Sequence, residues 1–403
     1  MRHSVYCFAT DVLDEGPERV LDNVAQRARV RSVTVAAKYH AVSDVYPHNP
    51  VQRVATLPPG VFYHPAMARY SGEALKPSTS PVAQGRDVLQ ELLDAAGPRQ
   101  MGVAAWVVMF HHDEAPPGTP ALQVNCFGDE IAGTLCPSHP EAQRFAELLV
   151  DEISSYPVET VRLESLHFHG INHGHHHERL LEPYGAVALL ALGLCFCRWC
   201  VQRAEGEGVD ACRLTAHARR SLEQVFLGAG GQPLDEGSLV ELCGDDALGY
   251  LTARQHTVTE LAARLVDVVV GNGARLSFID PTIASLAYAS GSLTGDPRVA
   301  AWQFGIDLTA VREAGADVEV TGYLRSPLEL EQVLSSYRRP QRAGAREGNL
   351  AVVLRPGPPD CDNVEELRSK LSVAASAGSA EVNFYNYGLY RADALDRIGS
   401  ALA

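Results

Sequence analysis

The chain has 403 residues, 46% of them hydrophobic and 21% charged, the make-up of a globular protein with enough apolar side chain for a large core. Its 34 Lys plus Arg against 49 Asp plus Glu leave a formal net charge of -15, a field that repels phosphate backbones and anionic membranes and argues against a nucleic-acid partner. Asp11 and Asp14 interrupt the start before an apolar stretch can build, so no secretory signal is expected. The longest apolar run, 185–197, is shorter than the roughly 20 residues that cross a bilayer, so a cytoplasmic protein with no membrane partner is expected.

Read in chain order, eight short β-rich runs alternate with helical patterns, at 5–11, 33–40, 103–111, 161–168, 275–280, 318–324, 350–355 and 380–387. That alternation predicts a parallel sheet wrapped by helices, and eight units predict one (β/α)₈ barrel domain over 1–403. Between the runs, 140–156, 259–270 and 365–377 carry helical stripes; the first of them opens on Pro140 and aligns Phe145, Leu148, Leu149 and Ile153 on one face. A weaker first helix is striped by Val20, Val24 and Ala28. Two stretches, about 41–97 and 168–273, exceed what one helix needs and read as insertions after strands two and four, at the face where barrel active sites form.

Chemistry-bearing residues collect at the predicted strand ends. In VRLESLHF the period-two alternation sends Val161 and Leu163 outward and Arg162 and Glu164 toward the barrel axis, where low dielectric tunes a carboxyl for acid/base work. An ion pair between Glu164 and Arg162 is the structural alternative. His167, His169, His173, His175, His176 and His177 follow within eleven positions, suited to a metal or to hydrogen-bonding a polyhydroxylated or anionic substrate. Strand two ends on Lys38 and His40, placed together and away from Tyr39 by alternation; strand three ends on His111, His112 and Asp113. Asp11, Asp280 and Asp360 are further carboxylates near strand ends, and Trp106, Trp302, Tyr385 and Tyr387 are rings suited to sugar stacking. Cys195, Cys197 and Cys200 form C-x-C-x-x-C, whose thiolates converge on a tetrahedral ion with Cys136 as the best fourth ligand. No G-x-S-x-G, Walker or Rossmann glycine pattern is present.

The order of Cys136, then Glu164 ending strand four, then Cys195/Cys197/Cys200 resembles the zinc-containing β-galactosidases of glycoside hydrolase family 42 and related clan A barrels. The segment from Leu135 to Phe168 is also similar to family-10-like barrel proteins. The resemblance covers about 126–200 and the strand order. It implies a structural four-cysteine zinc and Glu164 in the acid/base position. The chain departs from the pattern at strand seven, where VVLRPGPPD offers no glutamate, and at Leu163, where an asparagine is usual.

Three functions follow. The first is a glycosidase-like hydrolase of a sugar or sugar-bearing small molecule, with Glu164 as proton donor, a second carboxylate (Asp280, Asp11 or Asp360) activating water, His40 and His111 as further catalytic residues, and binding residues Lys38, His112, His167, His169, His177 and Tyr385. The second is a metal-dependent hydrolase, lyase or isomerase with a second, catalytic ion at the histidine-rich loop, held among His40, one of His111 or His112, Glu164 and members of His167–His177. The third is a barrel that binds without catalysing. Homo-oligomers stay open.

Overall fold

The computed structural model describes residues 1–171, 181–228, 231–337 and 347–403. Eight parallel strands form its centre: β1 Arg2–Cys7, β2 Ser32–Tyr39, β3 Gly102–Val108, β4 Thr160–Glu164, β5 Arg275–Asp280, β6 Asp317–Thr321, β7 Leu350–Leu354 and β8 Glu381–Phe384. Each pairs with its neighbours in sequence, and β1 pairs with both β2 and β8, so the sheet closes on itself without an edge. The protein is a (β/α)₈ barrel with additional insertions.

Every expected strand is found, but several end sooner than expected. The first ends at Cys7, because Phe8 already leads into the helix Ala9–Glu15. Residues 165–168, 322–324 and 385–387 are loops. They carry strand-like apolar side chains because these loops are themselves packed inside the barrel mouth. Helix Pro140–Ser154 starts on its proline and buries Phe145, Leu148, Leu149 and Ile153 as its stripe predicts. The helix expected at 259–270 is the second half of a much longer one, Ala247–Gly271.

The barrel interior is layered. Inward-facing residues of the middle layer form a charged network instead of the usual aliphatic filling. Arg162 donates to Glu319 at 2.6 Å, to Thr34 at 3.1 Å and to Glu381. Glu319 also accepts from Tyr6 (2.8 Å), Ser277 (3.0 Å) and Asn383 (2.7 Å). Burial works against charge on Arg162, but Glu319 and Glu381 outweigh it and hold the guanidinium ionised. Arg162 therefore shares a face with Glu164 without pairing to it.

The first insertion opens with an antiparallel hairpin, Val42–Val45 with Val54–Leu57, and adds a short strand, Gly60–Val61, to the end of β2. The second holds helices Ala186–Gly193, Arg198–Gly206, Ala211–Phe226 and Glu236–Cys243. A hairpin not foreseen from sequence, Leu122–Val124 with Glu130–Leu135, follows β3 and delivers Cys136. Among the described residues no single helix is long and apolar enough to cross a membrane.

Candidate active site

A cavity of about 380 Å³ opens above the charged layer, on the carboxyl ends of the strands. Its floor is Glu164. Among the described residues the carboxyl accepts one hydrogen bond, from the Trp106 indole N–H at 2.7 Å. Burial pushes Glu164 up to about 7, and the Trp106 hydrogen bond only partly offsets it. The backbone turns sharply here, since Ser165 sits at a φ of 59°. That left-handed conformation costs a non-glycine residue about 1 kcal/mol and is held by hydrogen bonds from Met109 and Phe110 amides to the Glu164 and Ser165 carbonyls.

The walls are aromatic. The Trp106 ring lies 4.6 Å from Tyr39, 5.1 Å from Tyr6 and 5.9 Å from Tyr385, each edge-on. Tyr288, Tyr323 and Phe304 close the far side. Asp44, on the hairpin after β2, is the other carboxylate among the lining residues. Burial first, and then both Glu164 and Asp44, push the Tyr39 phenol up, and the same two carboxylates act on Tyr288. These phenols thus stand within electrostatic reach of both acids.

The structure distributes the sequence candidates unevenly. His40, His167 and Tyr385 line the cavity with Glu164. Lys38 does not: it is buried, donates to the Val108 carbonyl at 2.8 Å and lies 3.9 Å from Glu114. The pairing of β2 with β3 slips between Ala36 and Lys38, and such a bulge reverses the faces beyond it. Tyr39 is turned into the cavity for that reason, opposite to the expected alternation. His111 points inward and hydrogen-bonds Asp113 at 3.1 Å, whereas His112 faces outward, 3.0 Å from Glu114 and packed on Phe145 of the covering helix. His169 is buried, its ring 4.7 Å from that of His167 and 6.1 Å from that of His111. His177, with His173, His175 and His176, lies outside the described residues.

None of the three expected second carboxylates reaches the cavity lining. Asp280 is buried and accepts from Thr282 and from the Tyr337 hydroxyl at 2.8 Å. Asp11 caps its helix by accepting from the Phe8 amide at 2.8 Å. Asp360 forms a two-pronged ion pair with Arg355 at 2.7 and 2.8 Å. The end of β7 contributes Val353. Of the four expected stacking rings, Trp106 and Tyr385 line the cavity; Tyr387 is turned away and donates to Glu15 at 2.9 Å. Asp44 lies on the hairpin strand Val42–Val45, Phe304 ends the helix Pro297–Phe304 and Tyr288 follows the helix Thr282–Ala287, so none of them stands on a barrel strand whose alternation could place it.

Among the described residues, two side-chain groups could each hold a metal ion. Cys136, Cys195, Cys197 and Cys200 converge beside the barrel. The unforeseen hairpin brings them together: the Val124 amide donates to the Cys195 sulfur at 3.3 Å, and Phe196 N–H to the Val124 carbonyl at 2.6 Å. Sulfur separations from Cys136 are 3.4 Å to Cys200 and 3.7 Å to Cys195 and Cys197. Four sulfurs at about 2.3 Å from a tetrahedral ion are about 3.8 Å apart, so the donor set fits such an ion. The second group is His40, His111 and Asp113, at the rim of the cavity.

Fold and site together define a barrel carrying an acid-bearing aromatic cavity at its catalytic face. No family model matches the chain, and no curated protein matches it. Among solved structures, 100% of the chain is similar to a beta-galactosidase from the psychrophilic Marinomonas ef1, at 13% identity and a TM-score of 0.55, and it spans 58% of that chain. Similarity also extends over 99% of the chain to a GH20 exo beta-N-acetylglucosaminidase from Vibrio harveyi, covering 54% of it at 7% identity and a TM-score of 0.43. For the GH20 beta-N-acetylhexosaminidase from Streptomyces coelicolor A3(2) the corresponding figures are 99%, 63%, 11% and 0.40. What the beta-galactosidase likeness establishes is the shared barrel fold.

Proposed function

We propose that this protein is a glycosidase-like hydrolase in which Glu164 protonates the leaving oxygen and Asp44 activates the attacking water. The observation that carries the reading is a carboxyl pushed up to about 7 on the floor of an aromatic-walled cavity of about 380 Å³. A carboxyl with that pKa is protonated in about half of the molecules at pH 7 and can deliver the proton, the requirement for a general acid. Rings such as Trp106 and Tyr39 offer flat apolar faces to sugar C–H surfaces while phenol hydroxyls meet sugar hydroxyls. An acid and a separate base acting through water is the inverting arrangement, in keeping with Val353 where a retaining nucleophile would stand. The similarity to a beta-galactosidase makes β-galactosides the first substrates to try.

The four cysteines would hold zinc, and zinc there supplies a cross-link between the hairpin after β3 and the helices after β4. His167 then binds substrate from the rim, and the site is that of a cytoplasmic enzyme acting on a small sugar-bearing molecule.

A series of β-galactosides graded from aryl to alkyl leaving groups tests this. Glu164→Gln should lower the rate about 10²- to 10⁴-fold on alkyl glycosides, which need the proton, and much less on activated aryl glycosides, which do not. Proton NMR of the first-formed sugar should show inversion. Equal losses across the series, or no turnover of any glycoside by the wild type, would refute the assignment.

A further inference from the structure

We propose that His40, His111 and Asp113 form a binding site for a divalent transition-metal cation at the rim of the cavity, distinct from the four-cysteine site and independent of the role given to Glu164. The residues come from two neighbouring strand ends: His40 directly follows β2, and His111 and Asp113 follow β3. The His40 and His111 rings are stacked, 4.3 Å apart at an interplanar angle of 12°. One ligand atom from each of the three side chains lies within 4.8 Å of the others. Nε2 of His111 is 3.1 Å from Oδ1 of Asp113. Two ligand atoms at about 2.1 Å from one ion are about 3.0 Å apart at right angles and about 3.4 Å apart in a tetrahedron, so this pair has the spacing of adjacent ligands.

The groups behind the ligands have the pattern that metal sites use to aim them. A single residue, Ala41, supplies two of these supports. Its carbonyl is 2.8 Å from Nδ1 of His40, which fixes the proton there and leaves the Nε2 lone pair as the ligand. Its amide donates to Oδ2 of Asp113 at 2.8 Å, leaving Oδ1 for the ion. Both second contacts therefore orient ligand atoms toward one point. They do so through backbone whose position β2 determines.

Two imidazoles and one carboxylate make a donor set for zinc, cobalt, iron or nickel rather than for magnesium or calcium, which prefer oxygen alone. Three protein ligands leave coordination positions open. One of the three ligands, His40, lines the cavity, and the open positions would take water or paired hydroxyl oxygens of a bound molecule. The nearby Lys38 cation is answered by Glu114 at 3.9 Å and by the Val108 carbonyl at 2.8 Å, so it does not oppose a cation at this rim uncompensated.

Cobalt(II) titration of the metal-stripped full chain, followed by absorption, separates the two sites because only thiolate ligands give strong near-ultraviolet charge transfer. The expected result is two equivalents per chain, one with that band and one with weak visible d–d bands alone. Zinc content should fall from two to one in His111→Gln and in Asp113→Asn, with the thiolate-type equivalent retained, while Cys200→Ser loses the other. A wild type that binds one equivalent in excess metal, all of it thiolate-ligated, overturns the proposal. So does a second equivalent that persists in His40→Ala, His111→Gln and Asp113→Asn alike. The wild-type spectrum decides the matter even where a variant fails to fold.

Discussion

Arg162 and Glu164 sit two residues apart on β4 and face the same barrel interior, yet they live in opposite electrostatic circumstances. Arg162 is 2% exposed and surrounded by Glu319, Glu381 and Thr34, its charge fully answered. Glu164 has one N–H donor, Trp106, and an open cavity above it. One layer is a saturated network and therefore structural; the next is left under-supplied, and a carboxyl in that state retains its proton near neutral pH. The largest effect should come from breaking the saturated layer. Arg162→Met leaves buried Glu319 without a cation, while Glu381 keeps Arg2 at 3.4 Å and Arg275 at 3.6 Å; removing one partner of a buried pair typically costs about 3–5 kcal/mol, read as a lower urea midpoint with an unchanged slope. A loss below about 1 kcal/mol would mean that the layer is wetter than its burial indicates.

Glu164 should behave the other way. Its pKa in the folded chain is about 7, above the roughly 4.3 of an unfolded chain, so the fold favours the neutral acid. That contribution is fully present below the unfolded value and is lost as pH rises through the folded one. Stability of the wild type relative to Glu164→Gln should therefore fall between about pH 4 and pH 7, by up to about 3.7 kcal/mol at 1.36 kcal/mol per unit. Access of the carboxyl to water in the cavity reduces that figure. Urea denaturation of both proteins across this range measures the difference, and a difference that grows in favour of the wild type with rising pH would contradict a raised acid.

How far the sequence foretold these two layers depends on what each residue's position was read from. Alternation within β4 put both side chains on the axis, because a strand of this kind has one packing solution on each face. The same rule failed on β2, where the slip between Ala36 and Lys38 exchanged the roles of Lys38 and Tyr39, and nothing in AAKYHA announces a bulge. The cysteine set was legible from spacing, since C-x-C-x-x-C leaves few ways for three thiols to meet. Asp44, Tyr288 and Phe304 were not. Their places in the cavity come from a hairpin and short helices outside the barrel strands, whose paths are set by tertiary packing and which offer no barrel alternation to read. Histidine density drew attention to 167–177, while the histidines that the fold gathers with Asp113, His40 and His111, come from two other strand ends.

The finest test of the contrast compares single hydrogen bonds. Trp106→Phe keeps an aromatic wall but removes the one donor to Glu164. Because that N–H stabilises the carboxylate, its loss should raise the Glu164 pKa further, by about one unit if the bond contributes near the lower end of charged hydrogen bonds, about 1.5 kcal/mol. Infrared titration of the buried carboxyl band, assigned by its loss in Glu164→Gln, reads the shift without needing a substrate. The matched change in the layer below is Tyr6→Phe, which removes one of four donors to Glu319 (the others being Arg162, Ser277 and Asn383) and leaves the ion pair intact. No new protonated-carboxyl band should appear there at neutral pH. Should Tyr6→Phe produce one while Trp106→Phe leaves Glu164 unmoved, the division of labour between the two layers would be reversed, because a group's freedom to take up a proton is set by how many partners remain once one is lost.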